Sequence, residues 1–157
     1  MPMLHFAYGS NMSRAVMRKH APAALPLGVA AFLGHRFVIT ADGYASAQPA
    51  RGVTVFGVLW RLTPRDYVRL DRWESVAGGQ YRAEVMPVVH AGSRRFALIY
   101  LARPRPAGNP KAGYIEIVVA AARAWGLPRS YIASLECWLP NHPRGAGPRR
   151  LGDVGWT

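Results

Sequence analysis

The strongest constraint on the fold is a strand signal that runs directly into a helix signal in the middle of the chain. Residues 53–62 are rich in Val, Phe and Trp, and their length suits a strand buried in a sheet. Thr63 then offers an N-cap, Pro64 suits the first helical position, and Asp66 stands three residues after the cap. We therefore predict a buried strand followed at once by a helix over residues 64–74.

The other segments predict an α+β fold, because strands and helices follow one another without the regular alternation of a doubly wound sheet. The turn Ala91-Gly92-Ser93 between two apolar runs predicts a hairpin. Residues 42–52 are predicted as a loop or an irregular strand. The remaining predicted strands cover residues 4–8, 27–33, 36–40, 81–90 and 95–101, and the remaining predicted helices cover residues 13–20, 113–125 and 130–139.

Size and composition predict one domain over residues 1–140 and a Gly/Pro/Arg-rich tail over residues 141–157. The chain has 157 residues, of which half are hydrophobic, and this suffices for a single core. It contains no apolar run of about 18 residues, so no membrane span is expected. It also lacks the features of a secretory signal and has a single cysteine, Cys137. Together these features favour a cytoplasmic protein.

The formal net charge of +12 suggests anionic partners, such as nucleic acid, anionic lipid or an acidic small substrate. The charge is mostly arginine and is spread along the chain, which is typical of a solvated surface. Specific nucleic-acid recognition is not expected, because no motif of that class is present. A basic nucleic-acid-binding module stays open as an alternative, since residues 144–150 could bind polyanions without sequence preference.

The first candidate for chemistry is the segment Phe6-Ala7-Tyr8-Gly9-Ser10-Asn11. A predicted strand ends there in a glycine and two small polar residues, and a helix follows. Backbone N–H groups at such a junction can hold an anion or a carbonyl oxygen. The alternative is a plain turn with Asn11 as a helix cap. The pattern is neither a phosphate-binding loop nor a nucleophile elbow.

The second candidate is Glu74, at the end of the predicted central helix. Tyr67, Leu70 and Asp71 share one helical stripe with it by three-and-four spacing. Burial along that stripe would raise the pKa of the carboxyl group toward the range useful for proton transfer at neutral pH. The alternative is a surface glutamate paired with one of the many arginines. Asp71 is the second acid/base candidate.

Metal and thiol chemistry are not expected. The five histidines lack the spacing of metal ligands, so we predict no metal site. Cys137 lies in an apolar helical stretch, which predicts a core thiol rather than a nucleophile.

Taken together and in this order, the motifs resemble the gamma-glutamyl cyclotransferase-like family over roughly residues 4–139. Residues 6–12 are similar to its N-terminal Tyr-Gly-Ser-Asn loop, and residues 55–60 to its central strand. Residues 70–81 are similar to the segment that holds its catalytic glutamate and a following tyrosine. Tyr114-Ile115 and Gly126-Leu127-Pro128 resemble the helix and turn near its C-terminus.

The resemblance implies a small mixed β-barrel flanked by helices, with a cavity at one end. It implies an enzyme that acts on a small gamma-glutamyl compound, releases 5-oxoproline and an amine or amino acid, and uses no cofactor. Glu74 would be the catalytic residue. The implied substrate-binding residues are Tyr8, Gly9, Ser10, Asn11, Tyr81 and Tyr114. A relative of the same fold that binds a ligand without catalysis is the other alternative, and the particular gamma-glutamyl substrate and the oligomeric state stay open.

Overall fold

Five strands and four α-helices make up the part of the chain that the structure, a computed structural model, describes: residues 3–74, 79–104 and 106–142. A short 3-10 helix, Ser10–Met12, lies between the first strand and the first helix. The predicted tail falls outside the described residues from residue 143 onward. The elements are β1 (Met3–Ala7), α1 (Arg14–His20), β2 (Leu25–Ile39), β3 (Ala45–Leu62), α2 (Pro64–Trp73), β4 (Tyr81–His90), β5 (Ser93–Ala102), α3 (Tyr114–Trp125) and α4 (Arg129–Glu136).

The strands close into a barrel in the order β1-β3-β2-β4-β5. Neighbouring strands are antiparallel except β1 and β5, which run parallel and pair at His5 and Leu98 to close the barrel. This confirms the predicted α+β class and the small mixed barrel flanked by helices. The closure matters for the site, because it brings the end of β1 beside residues that lie more than ninety positions later in the chain.

The predicted break at Gly34 is wrong. β2 continues through it, and a shift in register between Leu33 and His35 accommodates the glycine and its positive φ of 73°. β3 starts at Ala45, so residues 45–52 are strand, which is one of the two alternatives predicted for residues 42–52. Their sequence lacks a clear period of two, and the pairing with the second half of β2 supplies the order.

Helix α2 begins as predicted. The Asp66 N–H donates to the Thr63 Oγ1 at 3.2 Å, and the Thr63 N–H donates to the Asp66 Oδ2 at 3.3 Å, which completes a capping box. Asp66 is buried and also accepts a hydrogen bond from the Ala23 N–H, so the start of α2 is tied to the segment after α1. The helix ends at Trp73, and Glu74 is its C-cap residue.

The core fills the barrel and the space under the helices. Phe6 and Phe32 are fully buried and meet edge to face, with ring centroids 6.0 Å apart. Gly57 allows β1 and β3 to come together, because a Cβ at this position would collide with the Ala7 carbonyl oxygen and the Phe6 ring. No helix in the described residues is long and apolar enough to span a bilayer.

Cys137 does not belong to the buried core, so that prediction is wrong. The thiol is partly exposed and lies directly after α4, with its Sγ 3.3 Å from the Ala133 carbonyl oxygen. Leu135 and Trp138 take the buried positions on either side of it.

Candidate active site

The loop after β1 is a tight turn that has no room for a side chain at its second residue. The Met12 N–H donates to the Gly9 carbonyl at 3.1 Å, which closes the turn. A Cβ built on Gly9 would lie only 2.7 Å from the Tyr114 Oη. The Trp125 Nε1 donates to the Met12 carbonyl at 2.8 Å, so α3 holds the loop from behind. Glycine is required here for close approach rather than for an unusual φ.

One cavity of about 410 Å3 connects this loop with the end of α2. Its volume lies within the roughly 300–1,000 Å3 that is typical of small-molecule sites. Every residue to which the resemblance assigns a role lines it, although the role of each stays a prediction. These residues are Tyr8, Gly9, Ser10, Asn11, Glu74, Tyr81 and Tyr114.

Glu74 carries the only carboxylate among the described residues that line this cavity. The residue is partly buried, and loss of solvation raises the pKa of its carboxyl group to about 7. The negative charge of Asp71, one helical turn earlier, is the smaller cause of the same rise. Helix α2 ends at Trp73, but the Glu74 N–H still donates to the Leu70 carbonyl at 2.8 Å. This hydrogen bond fixes the backbone of Glu74.

Three tyrosine hydroxyls surround the cavity and are anchored to backbone groups. The Tyr8 hydroxyl donates to the Tyr100 carbonyl at 2.5 Å, and the Tyr81 hydroxyl donates to the Ala45 carbonyl at 2.8 Å. The Ala45 N–H donates to the Tyr114 Oη at 3.3 Å. Burial raises the pKa of Tyr114 to about 12, and the nearby Glu74 carboxylate acts in the same direction. The single O–H of Tyr8 and that of Tyr81 are already donated to backbone carbonyls. The Tyr114 hydroxyl accepts from the Ala45 N–H and keeps its own O–H to donate to a ligand.

Tyr100 and His5 also line the cavity, and sequence reasoning missed both. The Tyr100 hydroxyl donates to the Asp71 Oδ1, and burial is the main cause that raises the pKa of this tyrosine. The strand alternation along β5, with Leu98 and Tyr100 two residues apart, was the one available signal for a shared inward face. His5 gave no signal, because its partner Leu98 is distant in sequence.

The mouth of the cavity carries a second feature that the sequence did not reveal. The rings of His20 and Trp73 stack with centroids 3.9 Å apart and an interplanar angle of 15°, which joins α1 to α2. Lys19 lies beside this pair and also lines the cavity, as does Tyr44 from the segment before β3. The mouth is thus aromatic on one side and carries a positive charge.

The described residues contain no group of three or more His, Cys, Asp or Glu side chains that could hold a metal ion. The cavity brings together one carboxyl group, several hydroxyls, the Asn11 amide and the backbone of a loop. Such a set can transfer a proton and hold a polar ligand by hydrogen bonds.

Comparison with protein families shows a match between residues 54–135, just over half of the chain, and the model of the AIG2-like family. Two curated relatives are the gamma-glutamylcyclotransferases of Mus musculus, 26% identical, and Homo sapiens, 27% identical. Each alignment covers 96% of this chain and 86% of the relative.

The fold is similar to that of solved structures. A gamma-glutamyl cyclotransferase structure superposes with a TM-score of 0.84 at 24% identity, covering 98% of this chain and 97% of the other. A yeast gamma-glutamyl cyclotransferase specific to glutathione superposes with a TM-score of 0.59 at 10% identity, covering 87% of this chain and 95% of the other. At these identities the likeness concerns the fold.

Proposed function

The chain belongs to the AIG2-like family, and from this premise we propose that it is a gamma-glutamyl cyclotransferase. The reaction is an intramolecular attack of the substrate's α-amine on its own γ-amide carbonyl, which releases 5-oxoproline and an amine or amino acid. The observation that carries the proposal is that Glu74 and the loop containing Gly9 line one cavity, although they are more than sixty residues apart. The resemblance seen in the sequence motifs is confirmed by the family match and the relatives.

The site needs no enzyme nucleophile, because the substrate supplies its own. The α-amine is mostly protonated at neutral pH and must lose a proton before its lone pair can attack. Glu74 is suited to take that proton, since burial and Asp71 bring the pKa of its carboxyl group to about 7. A base with a pKa near the working pH combines a useful fraction of carboxylate with the ability to return the proton.

The proton and bond changes balance around Glu74 alone. Once Glu74 has taken one proton from the α-ammonium group, the neutral amine forms a bond to the γ-carbonyl carbon and the carbonyl oxygen becomes an oxyanion. The tetrahedral intermediate then collapses, and Glu74 gives its proton to the leaving nitrogen as the bond to that nitrogen breaks. The second proton of the attacking nitrogen passes through the Glu74 carboxylate to the released amine. The enzyme ends in its starting protonation state, and no oxidant, metal or cofactor enters the scheme.

The loop and the tyrosines are proposed to hold the substrate in its curled shape. The amine meets the γ-carbonyl only if the glutamyl chain bends, and fixing its α-carboxylate at the loop favours that bend. We propose that backbone N–H groups around Gly9 and the Tyr114 hydroxyl, which accepts from the Ala45 N–H and keeps its own O–H, are the donors to the substrate. Fixed donors of this kind stabilise an oxyanion without reorganising during the reaction.

We place the leaving group at the mouth, beside Lys19, His20 and Trp73. The mouth has room for an amine or an amino acid, so the particular gamma-glutamyl compound stays open. The net charge of +12 would draw an anionic substrate toward the protein. We infer a cofactor-independent enzyme of the cytoplasm.

The test is to incubate the protein with a panel of gamma-glutamyl amino acids, gamma-glutamyl amines, gamma-glutamyl-lysine and glutathione, and to measure 5-oxoproline. We expect release from at least one compound, and loss of that release in Glu74→Gln. Glu116→Gln is the matched control, because Glu116 is an exposed glutamate of α3 that does not line the cavity. Absence of 5-oxoproline from every compound would refute the proposed function and favour ligand binding without catalysis.

A further inference from the structure

His5 is a fully buried histidine in β1, and its hydrogen bonds define which of its nitrogens carries a proton. Its Nδ1 lies 3.1 Å from the Leu98 carbonyl oxygen. A carbonyl oxygen only accepts hydrogen bonds, so Nδ1 must carry the hydrogen. Burial lowers the pKa of His5 to about 4, hence the imidazole is neutral and has only this one N–H.

The neutral ring then determines how the Asn11 amide is turned. The Nε2 of His5 has no hydrogen and can only accept, and the neighbouring Asn11 side-chain atom lies 2.9 Å away. That atom must be the Nδ2 amide nitrogen, because an oxygen there would face a second acceptor. The Asn11 amide oxygen is therefore turned away from His5.

The oxygen faces the loop side of the cavity. A Cβ built on Gly9 would lie 3.9 Å from the Asn11 Oδ1, and the same Cβ would lie 2.7 Å from the Tyr114 Oη. Asn11, Gly9 and Tyr114 all line the cavity that also contains Glu74. A buried acceptor of fixed orientation thus lies in the same cavity as the Glu74 carboxyl group.

We propose that His5 is a positioning residue that holds the Asn11 amide oxygen toward the cavity, where it accepts a hydrogen bond from the α-amine of the gamma-glutamyl substrate. This inference rests on the proposed function, because the amine is the nucleophile of that reaction. An acceptor on one N–H leaves the lone pair of the nitrogen free to attack. A reversed amide would instead point its NH2 group at the amine and donate to that lone pair.

The orientation is tested first without any substrate. Nitrogen-15 NMR of the imidazole rings should show that His5 is protonated at Nδ1 and unprotonated at Nε2 at pH 7. His90, whose Nδ1 donates to the Val29 carbonyl at 3.0 Å, is an internal reference for the Nδ1-protonated form. A His5 protonated at Nε2, or at both nitrogens, would overturn the proposal, since Asn11 would then present its NH2 group to the cavity.

The role of the amine is tested with two ligands that differ only in that group. The first ligand is the gamma-glutamyl substrate with its α-amine. The second is a glutaryl analogue, in which hydrogen replaces the amine and the carboxylate is retained. In His5→Phe we expect kcat/KM for the gamma-glutamyl compound to fall about 10- to 100-fold, the range for losing a hydrogen bond to a charged or reacting group. The inhibition constant of the glutaryl analogue should change less than about twofold.

Two further variants separate positioning from folding. His5→Gln keeps a donor for the Leu98 carbonyl and an acceptor for Asn11, so it should recover part of the lost kcat/KM even if His5→Phe is unstable. Asn11→Ala should reduce kcat/KM for the gamma-glutamyl compound. In the His5→Phe background the same substitution should reduce kcat/KM by less than about a further twofold, because the effects of residues that act through one contact are not additive.

The outcomes distinguish the two proposals. Equal weakening of both ligands in His5→Phe, with 5-oxoproline still released by the wild type, would overturn the role of His5 alone. Absence of 5-oxoproline release by the wild type would overturn the proposed function and, with it, the role given to the amine.

Discussion

The Tyr100 hydroxyl donates a hydrogen bond of 2.5 Å to the Asp71 Oδ1, and this anchors an acidic side chain one helical turn before Glu74. The arrangement joins β5 of the barrel to α2 at the edge of the cavity. The negative charge of Asp71 disfavours ionisation of Glu74 and so helps to hold the pKa of Glu74 near 7. Neighbouring carboxyl groups with different surroundings can take different roles in one site.

Replacing Glu74 by Gln should reduce turnover of a gamma-glutamyl compound by roughly 10²–10⁴-fold, the range for losing general acid–base catalysis. The amide keeps the shape of the side chain but cannot exchange the proton. Substrate binding should survive, because the loop around Gly9 is untouched. Steady-state kinetics together with calorimetric binding to the variant checks both statements. A variant that turns over near the wild-type rate would leave Glu74 a structural residue.

The rate should rise with pH as Glu74 ionises, with a midpoint near pH 7 in kcat/KM. In Asp71→Asn the midpoint should move to lower pH, because the variant lacks the negative charge that disfavours ionisation. It should stay above the midpoint of a free glutamate, since loss of solvation is the larger cause of the shift. A pH profile of kcat/KM for both proteins measures this. A midpoint that moves upward, or not at all, would contradict the link between the two carboxyl groups.

The same raised pKa predicts that Glu74 weakens the fold at alkaline pH. Below pH 4 its carboxyl group is neutral in both the folded and the unfolded chain, so Glu74→Gln should melt at nearly the wild-type temperature. Above pH 7 the folded wild type must bury part of a charge, and the variant should be more stable by on the order of 1–2 kcal/mol, or about 2–6 °C. Thermal melts at pH 4 and pH 8.5 test the sign. A gain confined to acid pH would show that the shift has the opposite direction.

The close approach at Gly9 predicts a pair of compensating substitutions. Gly9→Ala should destabilise the protein and abolish 5-oxoproline release, because the new methyl group would meet the Tyr114 Oη. In the double variant with Tyr114→Phe the hydroxyl is absent, so thermal stability should recover in part. Tyr114→Phe alone is the control. If the double variant melts no higher than Gly9→Ala, the contact with Tyr114 is not what excludes a side chain.

Truncation after residue 142 tests the predicted tail, which composition alone suggests. Residues 143–157 offer few apolar groups, with Leu151 and Trp156 as the exceptions. The truncated chain should melt within about 1–2 °C of the full chain, because a terminal segment with few apolar groups adds little to a core. A fall of several degrees would show that part of this segment docks on the domain.

Much of the secondary structure was predictable because it depends on local chemistry. The start of α2 follows from Thr63, Pro64 and Asp66, and the β4–β5 hairpin follows from its turn residues. For the first half of β3 the sequence left a loop and an irregular strand open, because the order of this segment comes from pairing with β2 rather than from its own pattern. The site likewise contains residues that local sequence reveals and residues that only long-range packing brings together. The loop around Gly9 and Glu74 stand out as short motifs.

The partners of those motifs could not be predicted from local sequence. His5 matters because barrel closure places it against Leu98. Tyr100 matters because its hydroxyl joins β5 to Asp71 of α2. The stack of His20 on Trp73 depends on the packing of α1 against α2. None of these contacts between distant residues produces a periodic pattern in the sequence.

The parallel pairing of β1 with β5 also determines when the barrel can close during synthesis of the chain. The His5–Leu98 and Tyr8–Tyr100 hydrogen bonds join residues 93 and 92 positions apart. On a ribosome that adds about 5–20 residues per second, β1 waits on the order of 5–20 s for its last neighbour. During that interval β1 has β3 as a neighbour on one edge, and its other edge lacks the partner that β5 provides. The cavity arises in one late event, after β5 and α3 have left the exit tunnel, so no shorter nascent chain carries a complete site.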